Sequence, residues 1–580
     1  LSPVAISERR GAPLDPPPPL PGPGVPRRSF STFMPPAMVQ RVGPWLGLIA
    51  LCLALYLPGF ASLPPIDRDE ARFAQATKQM LETGDYVRIR FQDEARNKKP
   101  AGIYWAQAAA AQLFGGAAAP IWAYRVPSLI GVALAVLLLY EAGYRLFERR
   151  SAFLAASLLA ACLLAVVEAH LAKTDAGLLA ATVAAQGALG VIYLRGRGGL
   201  PAGWLLPLGF WSALGVGILI KGPVLPLISA LTVIALGLAD RSVAWLKASR
   251  PVPGLLVVAL IVAPWLIAIS QATHGAFLSD AVGKDLLPKL ISAQESHGAP
   301  PGYYLLLLMI GFFPGSLQIA PALRDAWRRR LLPAERFCLA WALPAWLVFE
   351  LVPTKLPHYV LPLYPALALL TARFVIGAAR TRTPAWWARA GFVAWLLVAF
   401  ALAGAAIALP EIVDRRIDWI ALPPLVAALA GAGAALGYAW RGHRLTSIGI
   451  GVAAAGVLLA TVFGTVLPRV QGLWLSRQAS EMVLAYRPAT ASPVAAAGFA
   501  EPSLVFLLGT ATELTGGSGA ADFLAAHADG LALVAADQEP TFRARAATLG
   551  LGVQLLETRH GYNYSRGRWI ALALYRGARS

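Results

Sequence analysis

The stretch AGFVAWLLVAFALAGAAIAL, Ala390–Leu409, runs twenty residues without a charged side chain, and its reading decides the fold. An apolar run of that length spans the hydrocarbon core of a bilayer as a helix. The pattern is continuous rather than alternating, and lipid tolerates only structures that satisfy their own backbone polar groups. Helices rather than a barrel are therefore expected. Comparable runs recur upstream at Gly43–Leu63, Val126–Tyr144, Ala152–Ala169, Gly177–Leu194, Trp204–Ile220, Val224–Ala239, Gly254–Ile269, Tyr303–Leu323, Phe337–Val352 and Val360–Ile376, and downstream at Trp419–Trp440 and Leu445–Val466. They predict a mainly α, polytopic membrane protein with about thirteen transmembrane helices. The whole chain agrees. It has 580 residues, is 57% hydrophobic and has a mean hydropathy of +0.59, too apolar for a soluble protein of this size.

The net charge is +19. In a soluble protein that balance points to nucleic acid, but here the positive-inside rule accounts for most of it and no nucleic-acid partner is expected. Arg27, Arg28 and Arg41 precede the first span and predict a cytoplasmic N-terminus. Alternate loops then carry Arg145/Arg149/Arg150, Arg195/Arg197, Arg241/Lys247/Arg250, Arg324/Arg328/Arg329/Arg330, Arg380/Arg382/Arg389 and Arg441/Arg444, all on one side. An odd number of spans leaves the C-terminal segment outside. Cys52, Cys162 and Cys338 fall in apolar runs and read as small buried hydrophobes, not as a disulfide or metal set.

Residues 1–40 form a Pro-rich tail, including Pro16–Pro19, Pro21, Pro23 and Pro26, that is expected to be disordered. No removable signal peptide is evident, and because the sequence begins with Leu1, Met34 and Met38 are candidate starts. Residues 41–468 form the membrane domain. Its first outer loop, 64–120, carries amphipathic helices, and a second large outer loop covers 271–302. Residues 469–580 predict a small outer α/β domain. Leu504–Leu508, Gly530–Val534 and Trp569–Tyr575 read as strands, with Ala520–Ala526 and Thr541–Leu549 as helices between them.

The first outer loop breaks the charge rule. It holds Arg68, Arg72, Lys78, Arg88, Arg90, Arg96, Lys98 and Lys99, and further outer-face cations sit at Lys173, Lys221, Lys284, Lys289 and Lys355. Lys221 and Lys355 interrupt apolar sequence, where a charge placed mid-membrane costs about 2.5 kcal/mol or more, so each needs a cavity or a partner. Asp69, Glu70 and Asp175 share that side. Amines facing one cavity suit an anionic phosphate, and a carboxylate there suits positioning or deprotonating an attacking group. Plainer roles fit the same residues: Asp69 and Asp175 as helix caps, His358 as an interfacial anchor, and a Glu168–His170 pair.

At these residues the sequence resembles the GT-C glycosyltransferases, specifically the bacterial aminoarabinose transferases and protein-mannosyltransferase-like enzymes. The matching segments are Asp69–Ala74, Lys99–Trp105, Lys173–Asp175, Lys221–Pro223, Lys355–Tyr359 and Gly561–Ser565, in order over Gly43 to Arg576. The resemblance implies a GT-C fold with a C-terminal periplasmic α/β domain, in the bacterial inner membrane. It implies transfer of a sugar from a polyprenyl (undecaprenyl) phosphate to lipid A or another envelope glycan. Asp69 matches the principal catalytic carboxylate and Asp175 the second acidic position. Lys99 and Tyr359 match donor-phosphate contacts, joined in our reading by Lys221, Lys289 and Lys355. Glu70, Arg72, Lys98, Tyr104, Lys284 and His358 are further candidate substrate contacts. The family's Glu before the conserved Lys is here Lys98, and a His and an Arg of the large outer loop are Lys284 and Lys289. Losing those ligands predicts no metal at that spot and no cofactor, with divalent-cation dependence left open. The more basic site also suits a more acidic sugar, such as a uronic acid. A monomer among membrane lipids is expected. A protein O-mannosyltransferase-like enzyme, a lipid-linked sugar flippase and an envelope scaffold are the alternatives; no internal repeat or midplane charge favours the transporter.

Overall fold

The computed structural model describes residues 36–66, 68–288, 298–377, 384–487 and 492–578. The reading of residues 1–35 as a disordered tail and the role given to Lys289 lie outside them. The first helix, α1 (Pro36–Tyr56), begins inside the stretch assigned to the tail and ends seven residues before the predicted Leu63. Pro58, which has no N–H to donate, and Gly59 stop it. Gly59 has φ +78°, and a Cβ there would lie 2.0 Å from the Phe463 carbonyl oxygen, so only glycine fits that approach.

All thirteen predicted apolar segments are helical. Among the described residues, seven helices are single units long and apolar enough to cross a membrane, or nine spans if each of two bent pairs counts as one. Three shorter apolar helices, Val42–Tyr56, Leu205–Lys221 and Val224–Asp240, accompany them. The outer segment after α1 carries α2 (Arg68–Thr83) and α3 (Gly102–Leu113), followed by the long helix α4 (Ile121–Leu146). The predicted span Ala152–Ala169 divides into α5 (Arg149–Ala160) and α6 (Leu163–Ala169) at a 59° bend. Tyr303–Leu323 divides likewise, at a 115° bend between Tyr303–Gly311 and Gly315–Arg328. The two breaks meet. The Leu163 N–H donates to the Phe313 carbonyl at 2.9 Å, and Cys162 Sγ contacts the Gly311 carbonyl at 3.0 Å. Backbone groups freed by one bend are satisfied by the other, which is what irregular backbone inside a membrane domain requires.

Helix α7 (Asp175–Arg197) is central, with 78% of its apolar window buried, whereas α10 (Pro251–Ala272) is peripheral, with 17%. Between them run α8 (Leu205–Lys221) and α9 (Val224–Asp240). Cys52, Cys162 and Cys338 are free and buried.

Helix α2 is the element that positions the site. Its Phe73, Ala76 and Met80 pack on Ile103 and Tyr104 of α3 and on Trp265 and Ile269 of α10. Ala74 packs with Ala111, Tyr124 and Phe506. That last contact corrects an expectation: Leu504–Leu508 is not a strand but lies in the helix Pro502–Leu508. Pro502 at its first turn presets helical φ, and the apolar run buries against α2 instead of entering the sheet.

The C-terminal α/β domain is present. Its sheet has the order β4-β3-β5-β7-β6, with strands β3 (Val494–Ala497), β4 (Glu513–Thr515), β5 (Leu531–Ala535), β6 (Gly552–Asn563) and β7 (Arg568–Ala578), counted after a two-strand hairpin, β1 (Arg90–Phe91) and β2 (Glu94–Ala95). β3 pairs parallel with β4 and β5, and β7 antiparallel with β5 and β6. Helices cover both faces: Leu475, Ala479 and Met482 on one, Ala520, Phe523 and Phe542 on the other. The domain grips α2 through Arg68–Glu501 (3.1 Å), Gln75 to Thr510 (2.7 Å) and Lys78 to the Phe506 carbonyl (3.1 Å).

Candidate active site

Asp69 and Glu70 occupy the first turn of α2, where acidic side chains favour the positive end of the helix. Their side chains diverge. Glu70 is fully buried and takes Arg125 Nε at 2.7 Å and Nη2 at 3.0 Å. It also accepts the backbone N–H of Ile66 (2.7 Å) and of Ala172 (2.9 Å). Arg125, also fully buried, spends its remaining donors on the carbonyls of Phe60, Leu63 and Pro64. The expected role of Glu70 in substrate contact is therefore corrected: every oxygen is committed, and the pair ties α1's exit, α2, α4 and the segment before α7 together.

Asp69 is the second residue of α2, not its cap, and its side chain is 45% exposed. Arg72 Nη1 lies 3.4 Å and Arg96 Nη2 3.9 Å from Oδ1. Arg96 is itself held over the Phe73 ring at 5.0 Å and donates to the Tyr104 hydroxyl at 3.4 Å. Burial pushes the Asp69 carboxyl up, but the charges of Lys173, Arg96 and Arg72 outweigh it and hold the pKa below the ordinary carboxylate value. Asp69 is thus an anion framed by cations and open on one side.

Asp175 is the first residue of α7 and makes no cap bond. It is buried and forms an ion pair with Lys221 from the last turn of α8. Lys221 also lies 5.4 Å from the centre of the Tyr359 ring. His358 Nε2 stands 3.9 Å from Asp175, and its Nδ1 3.8 Å from Glu168. Glu168 and His170 do not pair; His170 instead contacts the Val166 and Pro58 carbonyls. One residue links the halves. Lys173, buried in the turn before α7, acts through its charge on Asp69, Asp175 and His358 alike. Asp69 in turn acts on His358. Two carboxylates, two amines and one imidazole form a single electrostatic cluster at one end of the helices.

Other predicted residues lie around this cluster. Lys99 Nζ is 2.9 Å from Asp285, and Asn97 donates to Asp280 at 2.9 Å, so the first outer loop is tied to the second. Lys98 is exposed. Lys284 pairs with Asp280 at 2.7 Å while 79% exposed, and so faces solvent rather than the cluster. Lys355 is buried and donates to the carbonyls of Ala299 (2.9 Å) and Val352 (2.7 Å), which commits two of its three N–H groups to ordering the turn before His358. Sequence reasoning left Arg125, Arg96 and Lys173 out of the site. Lys173 stood in a quoted motif beside Asp175, and that adjacency was its signal. Arg125, one residue before an apolar run, gave none beyond its position.

Over the whole fold, the crystal structure of ArnT from Cupriavidus metallidurans bound to undecaprenyl phosphate matches with a TM-score of 0.67 at 20% identity, over 92% of this chain and 98% of that one. The apo oligosaccharyltransferase of Archaeoglobus fulgidus matches with a TM-score of 0.52 at 12% identity, over 86% and 69%. The fold is the GT-C fold that these two integral-membrane proteins share. Residues 98–267 match the family model described as dolichyl-phosphate-mannose-protein mannosyltransferase. The chain is 31% identical over 351 residues to the undecaprenyl phosphate-alpha-4-amino-4-deoxy-L-arabinose arabinosyl transferase of Erwinia tasmaniensis, an alignment covering 58% of this chain and 61% of that protein. With the enzyme of the same name from Pectobacterium carotovorum it is 28% identical over 375 residues, covering 63% and 66%. The matched regions span less than two thirds of either relative. Over the matched regions the chain is similar to the aminoarabinose transferases.

Proposed function

We propose that the protein transfers a sugar from undecaprenyl phosphate to lipid A or a related envelope glycan, at the periplasmic face of the bacterial inner membrane. The N-terminus is then cytoplasmic and the C-terminal domain periplasmic. The observation that carries this reading is the cluster of Asp69 and Asp175 with Lys173, Lys221 and His358 at the outer helix ends. In the reaction the bond between the anomeric carbon and the phosphate oxygen breaks, and polyprenyl phosphate leaves with the bonding pair. The acceptor oxygen forms the new bond on the opposite face. Lys221, Lys173 and Tyr359 hold the departing phosphate and take up its charge, with Lys99 as a further contact. Asp69, ionised and partly open, orients the acceptor and takes its proton if the acceptor is a hydroxyl; an acceptor phosphate is already an anion and needs orientation only. Arg72 and Arg96 keep Asp69 ionised and aimed.

Glu168, Asp175 and His358 place one ligand atom each within 4.8 Å of one another. The Lys221 ammonium already neutralises Asp175, so we read the trio as fixing His358 and Asp175 rather than as a cation site. Chelator-treated enzyme is then expected to keep its activity, and loss restored by a divalent ion would overturn that part. The function itself is tested by giving purified protein in detergent a labelled undecaprenyl-phosphate sugar. Release of undecaprenyl phosphate with label moving to lipid A is expected. An intact donor with every sugar tried, aminoarabinose and uronic acid included, would sink the assignment.

A further inference from the structure

The opposite end of the membrane domain holds a second basic site that the transfer reaction does not use. A cavity of about 240 Å³ is lined there by Gln318, Arg324, Arg328, Phe374, Trp387 and Arg444. Phe374 lies in the last turn of Tyr364–Ile376, whose other end leads from His358, so this cavity and the candidate active site are separated by the length of that helix.

Several arginines at this end are paired with carboxylates. Arg145 meets Glu141 at 2.6 Å, Arg197 and Arg336 meet Asp240, and Arg373 meets Glu148 at 3.1 Å. The cavity arginines differ. Among the described residues no carboxylate lies within ion-pair distance of Arg324, Arg328 or Arg444. Asp325, which also lines the cavity, pairs with Arg329 at 3.0 Å. Arg324 instead lies over the Trp387 ring at 5.1 Å and Arg444 over the Phe374 ring at 4.0 Å. Gln318, 1% exposed, has an Nε2 without a hydrogen-bond partner. Three guanidinium groups and an unused buried amide donor outnumber the one lining carboxylate, Asp325, which Arg329 already pairs, so the cavity suits an anion. Guanidinium forks match phosphate oxygens in particular. The depth narrows the source of that phosphate. Trp386 and Trp327, beside the cavity, are 80% and 56% exposed, as interfacial aromatics at the lipid headgroup level are. Anionic headgroups stand at that depth.

We propose that this cavity binds the phosphate of an anionic membrane phospholipid. The test is thermal unfolding of the full chain in detergent, with short-chain phosphatidylglycerol, phosphatidylcholine or inorganic phosphate added in turn. Phosphatidylglycerol is expected to raise Tm, and to bind about tenfold or more weakly to the Arg324→Gln/Arg444→Gln double variant, since charge-assisted bonds are lost. Arg145→Gln, at the same end but paired with Glu141, is expected to bind like wild type. Equal stabilisation by phosphatidylcholine, an equal effect of inorganic phosphate, or unchanged binding in the double variant overturns the proposal. If the double variant fails to fold, the comparison of the three ligands on the wild type decides alone.

Discussion

Asp69 and Glu70 are consecutive on one helical turn, carry the same charge and meet arginines, yet they stand in opposite conditions. Glu70 has no solvent exposure, and both oxygens are filled by Arg125 and two backbone amides. Asp69 keeps nearly half its side-chain surface open, and its cations stand at 3.4 and 3.9 Å. A buried carboxylate whose bonds are complete holds the scaffold together and has nothing left for a substrate. An ionised carboxylate with nearly half its surface exposed can be reached by a substrate. The difference teaches that neighbouring carboxylates of one acidic motif can part into a buried brace and an exposed group, and that only the exposed one is a candidate for chemistry.

The contrast is open to breaking. Glu70→Ala leaves the Arg125 charge buried without its partner, and such losses cost about 3–5 kcal/mol. Thermal unfolding should show that destabilisation, or monodisperse protein should not be recovered at all. An unchanged Tm would mean the brace is idle. Asp175→Asn is milder. It removes the anion between Lys221, Lys173 and His358, and kcat/KM is expected to fall by about tenfold to a hundredfold, roughly the worth of one charge-assisted bond. A third measurement reads the field at Asp69. Its pKa is held below the ordinary carboxylate value, so activity should persist as pH falls to that value and be lost only below it. Lys173→Met removes a stabilising cation, raises the pKa and moves the acid limb of kcat/KM upward. An acid limb unmoved by that change would detach Lys173 from Asp69. The smallest effect belongs to Lys284→Ala. This exposed lysine is expected to leave stability within about 0.5 kcal/mol and activity near wild type.

Much of the fold was legible because lipid imposes a one-dimensional rule: apolar length. The thirteen segments and the sheet domain followed from it. The bends at α5–α6 and at Gly311–Gly315 did not, because each relies on the other's backbone groups across a long sequence separation. The helix Pro502–Leu508 was misread as a strand, since a five-residue apolar run has no period of its own and its partner, α2, lies far away in sequence. At the site, sidedness alone brought Asp69, Asp175, Lys221 and His358 to one face. It gave Glu70 and Lys355 the same standing as their neighbours, because burial and saturation by backbone groups leave no trace in composition. Arg125 escaped for the same reason.

The central claim is that Asp69 performs chemistry while Glu70 holds the scaffold. It is tested most directly by Asp69→Asn, assayed for release of undecaprenyl phosphate and followed by thermal unfolding on the same preparation. The account predicts turnover lower by about a hundredfold to ten-thousandfold, the range for loss of a positioned base, with stability close to wild type. Near-wild-type turnover, or a loss of activity matched by a loss of folded protein, would contradict it.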